Sequence, residues 1–261
     1  MIKLIVSDID GTLVNNEKEV PVSFWKAFER MQELDILFCV ASGRQIQSLH
    51  ELFAPIKNNI AYAPDNGASL IYQNKTLFEK LITPADYLPI MRTCNEINGI
   101  GVALCGRDRA YIKTDSKWIF DEIARHYPAH TTVSDFAVID DDIFKITICD
   151  EGISRLNSYQ YLKKYQNDFN VVISGEIWLD ITGKDVNKGN AITHLQRILE
   201  ITPEETVVFG DHMNDVEMIQ CAKHSYAMKN AQEELKALAK YVTEYDNNEA
   251  GVVKEIEKIL K

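Results

Sequence analysis

The chain has 261 residues, 46% hydrophobic and 26% charged, with a formal net charge of −11. This is the composition of an ordinary globular protein, large enough to bury a core without disulfides or a structural metal. The acidic balance argues against a nucleic-acid partner, which needs clustered Lys and Arg, and no apolar run reaches the length of a membrane span.

In chain order, the first apolar run is Ile2 to Val6, ending at Ser7-Asp8. An acidic residue this early is not expected in a signal peptide. Val22 to Leu34 carries Phe24, Ala27, Phe28, Met31 and Leu34 at helical spacing. Ile36 to Ala41 ends in Ser42-Gly43-Arg44, and Ile60 to Ala63 leads to Asp65-Asn66-Gly67. Short Val/Ile-rich runs that stop abruptly at polar residues suit strands buried on both faces of a parallel sheet.

From about Pro84 to Gly183 the pattern changes, and strand-like pieces pair without helices between them. Gly101 to Leu104 and Ala110 to Lys113 flank a turn through Arg107-Asp108. Phe144 to Cys149 alternates with Lys145 and Thr147, as a half-exposed antiparallel strand would. Ile153 to Tyr165 reads as one helix, with strands at Val171 to Ser174 and Trp178 to Thr182. Trp178 suits the core better than a substrate face, by the burial habits of large aromatics.

Beyond it, Asn187 to Leu199 is a helix with Ala191, Ile192, Leu195, Ile198 and Leu199 on one face. Thr206 to Phe209 is a strand ending in Gly210-Asp211, and Asn230 with Glu233 reads as the capping box of a helix through Leu238. The expected fold is therefore α/β: a Rossmann-like parallel-sheet core over residues 1–83 and 184–261, with an α+β insertion over 84–183. Cys39, Cys94, Cys105, Cys149 and Cys221 are odd in number and contain no C-x-x-C pair. Free thiols of that kind fit a cytoplasmic location.

The chemistry-bearing residues fall at the carboxyl ends of these strands, the edge where open α/β sheets bind ligands. Asp8 and Asp10 lie two positions apart, followed by Gly11-Thr12, and Gly11 permits the turn that aims both acids at one spot. Read alone, this is either a cation site or a plain turn. Ser42 is either a phosphoryl-oxygen donor or a helix cap. Lys188, at a helix start where the dipole disfavours it, is either a neutralising charge or a solvated side chain. Asp211, Asn214 and Asp215 gather two more acids and an amide, either simple helix capping or, crowded with Asp8 and Asp10, carboxylates whose repulsion a divalent cation resolves. No Walker loop and no G-x-S-x-G elbow is present.

In that order, Asp8-Ile9-Asp10-Gly11-Thr12-Leu13, Ala41-Ser42-Gly43-Arg44, Lys188-Gly189 and Gly210-Asp211-His212-Met213-Asn214-Asp215 resemble the four motifs of the haloacid dehalogenase-like (HAD) phosphatases. The insertion between the second and third motifs is similar to that of the Cof-type branch, subfamily IIB. The segments Asp65 to Ala68 and Ala227 to Ala231 resemble further core segments of that branch, with Lys229 where the family often has Gly.

The resemblance implies the HAD fold with a cap that sets specificity, and a phosphatase of small phosphorylated metabolites such as sugar, nucleotide or cofactor phosphates. It implies Asp8 as covalent nucleophile and Asp10 as acid and base. Gly11, Thr12, Ser42, Gly43, Arg44, Lys188 and Asn214 would hold the phosphoryl group. Mg2+ would sit on Asp8, Asp10 through its backbone carbonyl, and Asp211, with Asp215 as ligand or supporting partner. A phosphotransferase or mutase of the same fold is the alternative, and a non-catalytic metabolite-binding regulator a more distant one. Arg107, Lys113, Glu176 and Lys184 are polar residues of the insertion available to read a substrate. The chain is expected to be a monomer or homodimer.

Overall fold

The computed structural model describes residues 1–260. The chain divides into two compact units, Met1–Glu79 with Asn187–Lys261, and Lys80–Val186. No helix among the described residues is long and apolar enough to cross a membrane.

In the first unit, β1 (Leu4–Ser7), α1 (Val22–Glu33), β2 (Leu37–Ala41), α2 (Ile46–Leu52) and β3 (Ala61–Ala63) alternate, followed by the hairpin β4 (Ser69–Tyr72) and β5 (Lys75–Glu79). The second unit contributes α3 (Pro84–Cys94), β6 (Ile100–Gly106), β7 (Ala110–Lys113), α4 (Lys117–His126), β8 (His130–Thr132), β9 (Ile143–Asp150), α5 (Ser158–Leu162), β10 (Phe169–Ile173) and β11 (Trp178–Gly183). The first unit then resumes with α6 (Lys188–Leu199), β12 (Thr206–Gly210), α7 (Val216–Gln220), β13 (His224–Ala227), α8 (Glu233–Leu238), β14 (Tyr241–Val242) and α9 (Gly251–Ile259).

The first unit is built on an eight-stranded sheet ordered β14-β13-β12-β1-β2-β3-β4-β5. Its pairings are parallel from β14 to β3, and the β4–β5 hairpin adds antiparallel strands at one end. Every residue of β1 is buried, as a central strand covered on both faces must be. Phe24 of α1 packs on Phe28, Phe38 and Phe53, with ring centroids 5.0 to 6.2 Å apart. Ser7 lies opposite Phe209 on one side and Val40 on the other. That register brings the residues after β1, β2 and β12 to one edge of the sheet.

One cap differs from expectation. The helix Glu233–Leu238 is entered from Gln232, not Asn230. The Asn230 amide is turned away to donate to the Gly11 carbonyl at 2.7 Å, while its oxygen accepts from Asn247 N–H at 3.2 Å.

The second unit holds a six-stranded sheet ordered β10-β11-β9-β6-β7-β8. It departs from the sequence reading in three ways. Two helices, α3 and α4, lie among its strands. In α3, prolines at positions 84 and 89 mask a buried stripe of Tyr87, Ile90, Met91 and Cys94, and Thr83 with Asp86 forms the capping box.

Strand β9 is not half-exposed, since all eight of its residues are buried. It sits between β6 and β11, with Ile146 and Ile148 in one cluster with α3 and Cys149 in another with α4. Its polar residues are accommodated inside: Thr147 Oγ1 donates to Asp180 at 2.7 Å, and Lys145 lies 5.5 Å from the centre of the Tyr127 ring. The single helix expected from Ile153 is three short turns, at Ser154–Leu156, Ser158–Leu162 and Lys163–Tyr165. Buried Asp150 accepts from Ser154 Oγ, Ser158 N–H and Ser158 Oγ at 2.6 to 3.2 Å, which restarts the helix at Ser158.

Helices α6 and α7 approach so closely that a Cβ on Gly189 would lie 2.3 Å from the Glu217 backbone. Backbone cannot give way as a side chain can. Gly189→Ala should therefore destabilise the protein by about 1–3 kcal/mol, read as a lowered thermal midpoint against wild type.

Candidate active site

Asp8 follows β1 directly, and its N–H donates to the Phe209 carbonyl of β12 at 3.0 Å. Its carboxylate is almost wholly buried, with 8% of the side chain exposed. Lys188, the first residue of α6, reaches it from the other half of the unit. Lys188 Nζ donates to Asp8 Oδ1 and to Asp215 Oδ1, each at 2.6 Å. The helix start is capped by the Asn187 side chain, which accepts from Asn190 N–H.

Asp215 is fully enclosed. Its Oδ2 accepts from the N–H groups of Asp211 and His212 at 2.9 and 3.2 Å, so it ties the loop after β12 to Lys188. Asp211 Oδ1 accepts from Thr12 Oγ1 at 3.0 Å. Gly11 makes this approach possible: its φ is +79°, and a Cβ there would fall 2.3 Å from Asp211 Oδ2.

One lysine, bonded to two of them, thus serves a cluster of three carboxylates. Burial disfavours the Lys188 ammonium, but Asp215 and Asp8 outweigh it and hold its pKa above the usual lysine value. Asp8 is pushed upward, chiefly by burial, with Lys188 opposing and Asp215 and Asp211 adding to the rise. Burial and Asp215 also raise Asp211. Both pKa values at the Lys188–Asp8 contact are raised, which favours the charged lysine but the neutral carboxyl: the single positive charge is shared, and the surplus that remains is negative.

That surplus fits a divalent cation. Oxygens of Asp8, Asp211 and Asp215 lie within 4.8 Å of one another, an all-oxygen donor set of the kind hard cations take. Asp8 and Asp211 keep their Oδ2 atoms clear of the hydrogen bonds above, whereas Asp215 is engaged at both oxygens.

Asp10 does not share this environment. Arg44 grips its carboxylate with two hydrogen bonds, Nε to Oδ2 and Nη2 to Oδ1, both 2.8 Å. Lys18 adds a third from Nζ to Oδ1 at 2.8 Å. Burial opposes ionisation, but Arg44 and then Lys18 prevail and hold the Asp10 carboxyl down at about 2. So Arg44 lies on Asp10, and the Asp10 carboxylate is taken up by these two cationic side chains.

Ser42 is buried after β2, and it caps no helix, since α2 is entered from Gln45. Ser42 Oγ accepts from Arg44 N–H at 3.1 Å. Beside it runs a left-handed turn in which Asp65, Asn66 and Gly67 have φ of 48°, 56° and 87°. Asn66 N–H donates to the Ser42 carbonyl at 2.8 Å, and Asn66 Oδ1 accepts from Asn214 Nδ2 at 3.1 Å.

The structure therefore gathers Asp8, Lys188, Asp211, Asp215, Thr12 and Gly11 in one cluster. Asp10 with Arg44 forms a second group, and Ser42 and Gly43 with Asn66 and Asn214 a third. Sequence reasoning did not name Lys18, and it gave Asn66, within the segment Asp65 to Ala68, no role of its own. Lys18 is an exposed loop lysine with no local signal, whereas Asn66-Gly67 is a dipeptide that favours left-handed backbone. In the second unit, Arg107 pairs with Asp142 at 2.8 Å and stacks over Phe144, and Lys113 and Lys184 donate to Asn95 and the Asn167 carbonyl. Lys229 lies 3.6 Å from Glu249.

Comparison with known proteins gives a consistent picture. The profile of the haloacid dehalogenase-like hydrolases matches residues 5–256. Among curated proteins, the 5-amino-6-(5-phospho-D-ribitylamino)uracil phosphatase YbjI of Escherichia coli is 31% identical, covering 100% of this chain and 97% of its own. The phosphatase of the same description from Bacillus subtilis, YcsE, is 26% identical over 98% of this chain and 94% of its own. Among solved structures, SMU.1108c from Streptococcus mutans superposes with a TM-score of 0.90 at 30% identity, covering 100% and 99% of the two chains. A sugar phosphatase of HAD subclass IIB superposes at 0.83 with 25% identity, over 98% of each chain.

The Asp10–Arg44 contact has a definite pH signature. A carboxyl held down in the fold adds stability above its unfolded pKa of about 3.9, and loses it as pH falls through the folded value. Arg44→Met should therefore lower the thermal midpoint most near neutral pH. The gap to wild type should close as pH falls from about 4 toward 2, measured by parallel melts across that range.

Proposed function

The chain belongs to the haloacid dehalogenase-like hydrolases, and on that premise we propose that it is a magnesium-dependent phosphatase of small metabolites working through an aspartyl-phosphate on Asp8. The observation that carries this reading is the state of Asp8. It is a buried carboxylate at the end of the central strand, oriented through Oδ1 by Lys188, with Asp211 and Asp215 beside it.

In the first half-reaction an Asp8 oxygen attacks phosphorus, and the bond from phosphorus to the leaving oxygen breaks as Asp10 protonates that oxygen. In the second, Asp10 takes a proton from water as the water oxygen attacks phosphorus, and the bond to Asp8 breaks. Splitting one displacement into two is the gain of covalent catalysis. Arg44 and Lys18 hold Asp10 ionised, the form needed as base; to act first as acid it takes up a proton from solvent, which displaces one of these donors.

Lys188, the Ser42 hydroxyl, the backbone of Gly11, Thr12 and Gly43, Arg44 and the Asn214 amide supply donors for phosphoryl oxygens. Mg2+, held by Asp8, Asp211 and the Asp10 carbonyl, would supply charge that offsets the phosphoryl oxygens. Asp215 would support it from behind, through Lys188 and the N–H groups of Asp211 and His212.

The names of two relatives point to phosphorylated ribitylamino-uracil as the first substrate to try. The residues 84–183 are proposed as the specificity cap. Five free cysteines, four of them buried, support a cytoplasmic setting.

Asp8→Asn or Asp10→Asn should abolish Mg2+-dependent phosphate release from an aryl phosphate, by about 10³-fold or more, while circular dichroism stays native. Full turnover by Asp8→Asn would sink the mechanism. Chelation with EDTA should silence the enzyme and added Mg2+ restore it. A panel of metabolite phosphates ranked by kcat/KM then identifies the substrate, and free phosphate as product separates hydrolysis from transfer.

A further inference from the structure

We infer that Asn66 is a positioning residue that sets the Asn214 amide and the Ser42–Arg44 loop in place for the phosphoryl group. This deepens the phosphatase reading and rests on it.

Three observations converge on this one side chain. First, its backbone is bonded to the loop after β2, where Asn66 N–H donates to the Ser42 carbonyl at 2.8 Å and Asp65 N–H to the Arg44 carbonyl at 3.0 Å. Second, Asn66 Oδ1 accepts from Asn214 Nδ2 at 3.1 Å, across 148 positions of sequence. Third, the Asn66 amide lies against Gly43: the three atoms nearest a Cβ built there are Asn66 Oδ1, Nδ2 and Cγ, at 3.3, 3.4 and 3.7 Å.

Asn66 therefore touches two of the proposed donor groups and joins the ends of β2 and β12. Few residues suit the place. The backbone has φ 56° and ψ 32°, a left-handed conformation that Gly and Asn tolerate and most residues avoid. Asn combines that tolerance with a compact acceptor for the Asn214 amide and adds no negative charge beside an anionic substrate. A primary amide has two N–H groups, so Asn214 can spend one on Asn66 and present the other to a phosphoryl oxygen. Without Asn66, an exposed Asn214 has to be ordered by the substrate, at an entropic cost.

Two variants isolate the effect. Asn66→Gly keeps the left-handed backbone and deletes the amide. Gly43→Ala leaves every N–H in place, needs no unusual backbone, and pushes the Asn66 amide by a few tenths of an ångström. Steady-state phosphate release from an aryl phosphate, and competitive inhibition by inorganic phosphate, are measured for wild type, Asn66→Gly, Asn214→Ala and the double variant, and for Gly43→Ala with and without Asn66→Gly. Thermal melts check that each is folded.

The expected result is a fall of about tenfold in kcat/KM for Asn66→Gly, with weaker phosphate inhibition. In the Asn214→Ala background the same change should cost less than twofold, because the group it positions is gone. Gly43→Ala should lose several-fold in wild type and little once residue 66 is Gly. Wild-type kcat/KM in Asn66→Gly, or an equal loss with and without Asn214, overturns the inference. If Asn66→Gly alone is unaffected while Asp8→Asn is inactive, the phosphatase reading stands and only this inference fails. An inactive wild type overturns both.

Discussion

The site depends on one buried ammonium. Lys188 lies between Asp8 and Asp215 with 1% of its side chain exposed, and its two contacts are short enough for charge-assisted hydrogen bonds. Removing one partner of a buried ion pair costs about 3–5 kcal/mol in general, so the three groups stand or fall together. Lys188 opens α6, where the helix dipole disfavours a cation. The two carboxylates offset that penalty, which is why a lysine persists there. Its ring of supports follows the same logic: Asp215 also caps the loop after β12, and Thr12 steadies Asp211.

Much of this architecture was legible because parallel strands buried on both faces leave a plain trace. Ile5 and Val6, Phe38 to Val40 and Val207 to Phe209 are unbroken apolar runs, each ending where the chain leaves the sheet. The helices α1 and α6 announced themselves by spacing. The second unit was harder to read, for identifiable reasons. Two prolines disguise α3, and the alternation in β9 is real, yet Lys145 and Thr147 face a cluster under Tyr127 instead of water. Asp150 interrupts what periodicity alone reads as one helix.

Within the site, the acids could be found from sequence, but not what holds them. Residue type and strand-end position marked Asp8, Asp10 and Asp211. Nothing local says that Lys18, 60% exposed on a loop, donates to Asp10, or that the guanidinium of Arg44 lies across the same carboxylate. Such pairings are decided by how loops from separate strands meet. Asn66 is an intermediate case. Its neighbour Gly67 signals a turn, yet its contact with Asn214 exists only in the folded sheet.

The most consequential contrast is between Asp8 and Asp10, two residues apart and driven in opposite directions. Burial and neighbouring acids push Asp8 toward the neutral form, while Arg44 and Lys18 keep Asp10 charged against its own burial. The turn at Gly11 separates the two environments, delivering one acid to the carboxylate cluster and the other to the cationic clamp. Two like groups whose surroundings differ this sharply are suited to different tasks. In the proposed reaction the first forms a bond to phosphorus and the second carries a proton. In that reaction a further cation beside Lys188 would favour the charged form of Asp8, so the proposed nucleophile and metal site would act as a single electrostatic unit. Asp10, its charge already balanced by Arg44 and Lys18, stands outside that unit, which suits the proton-carrying role proposed for it.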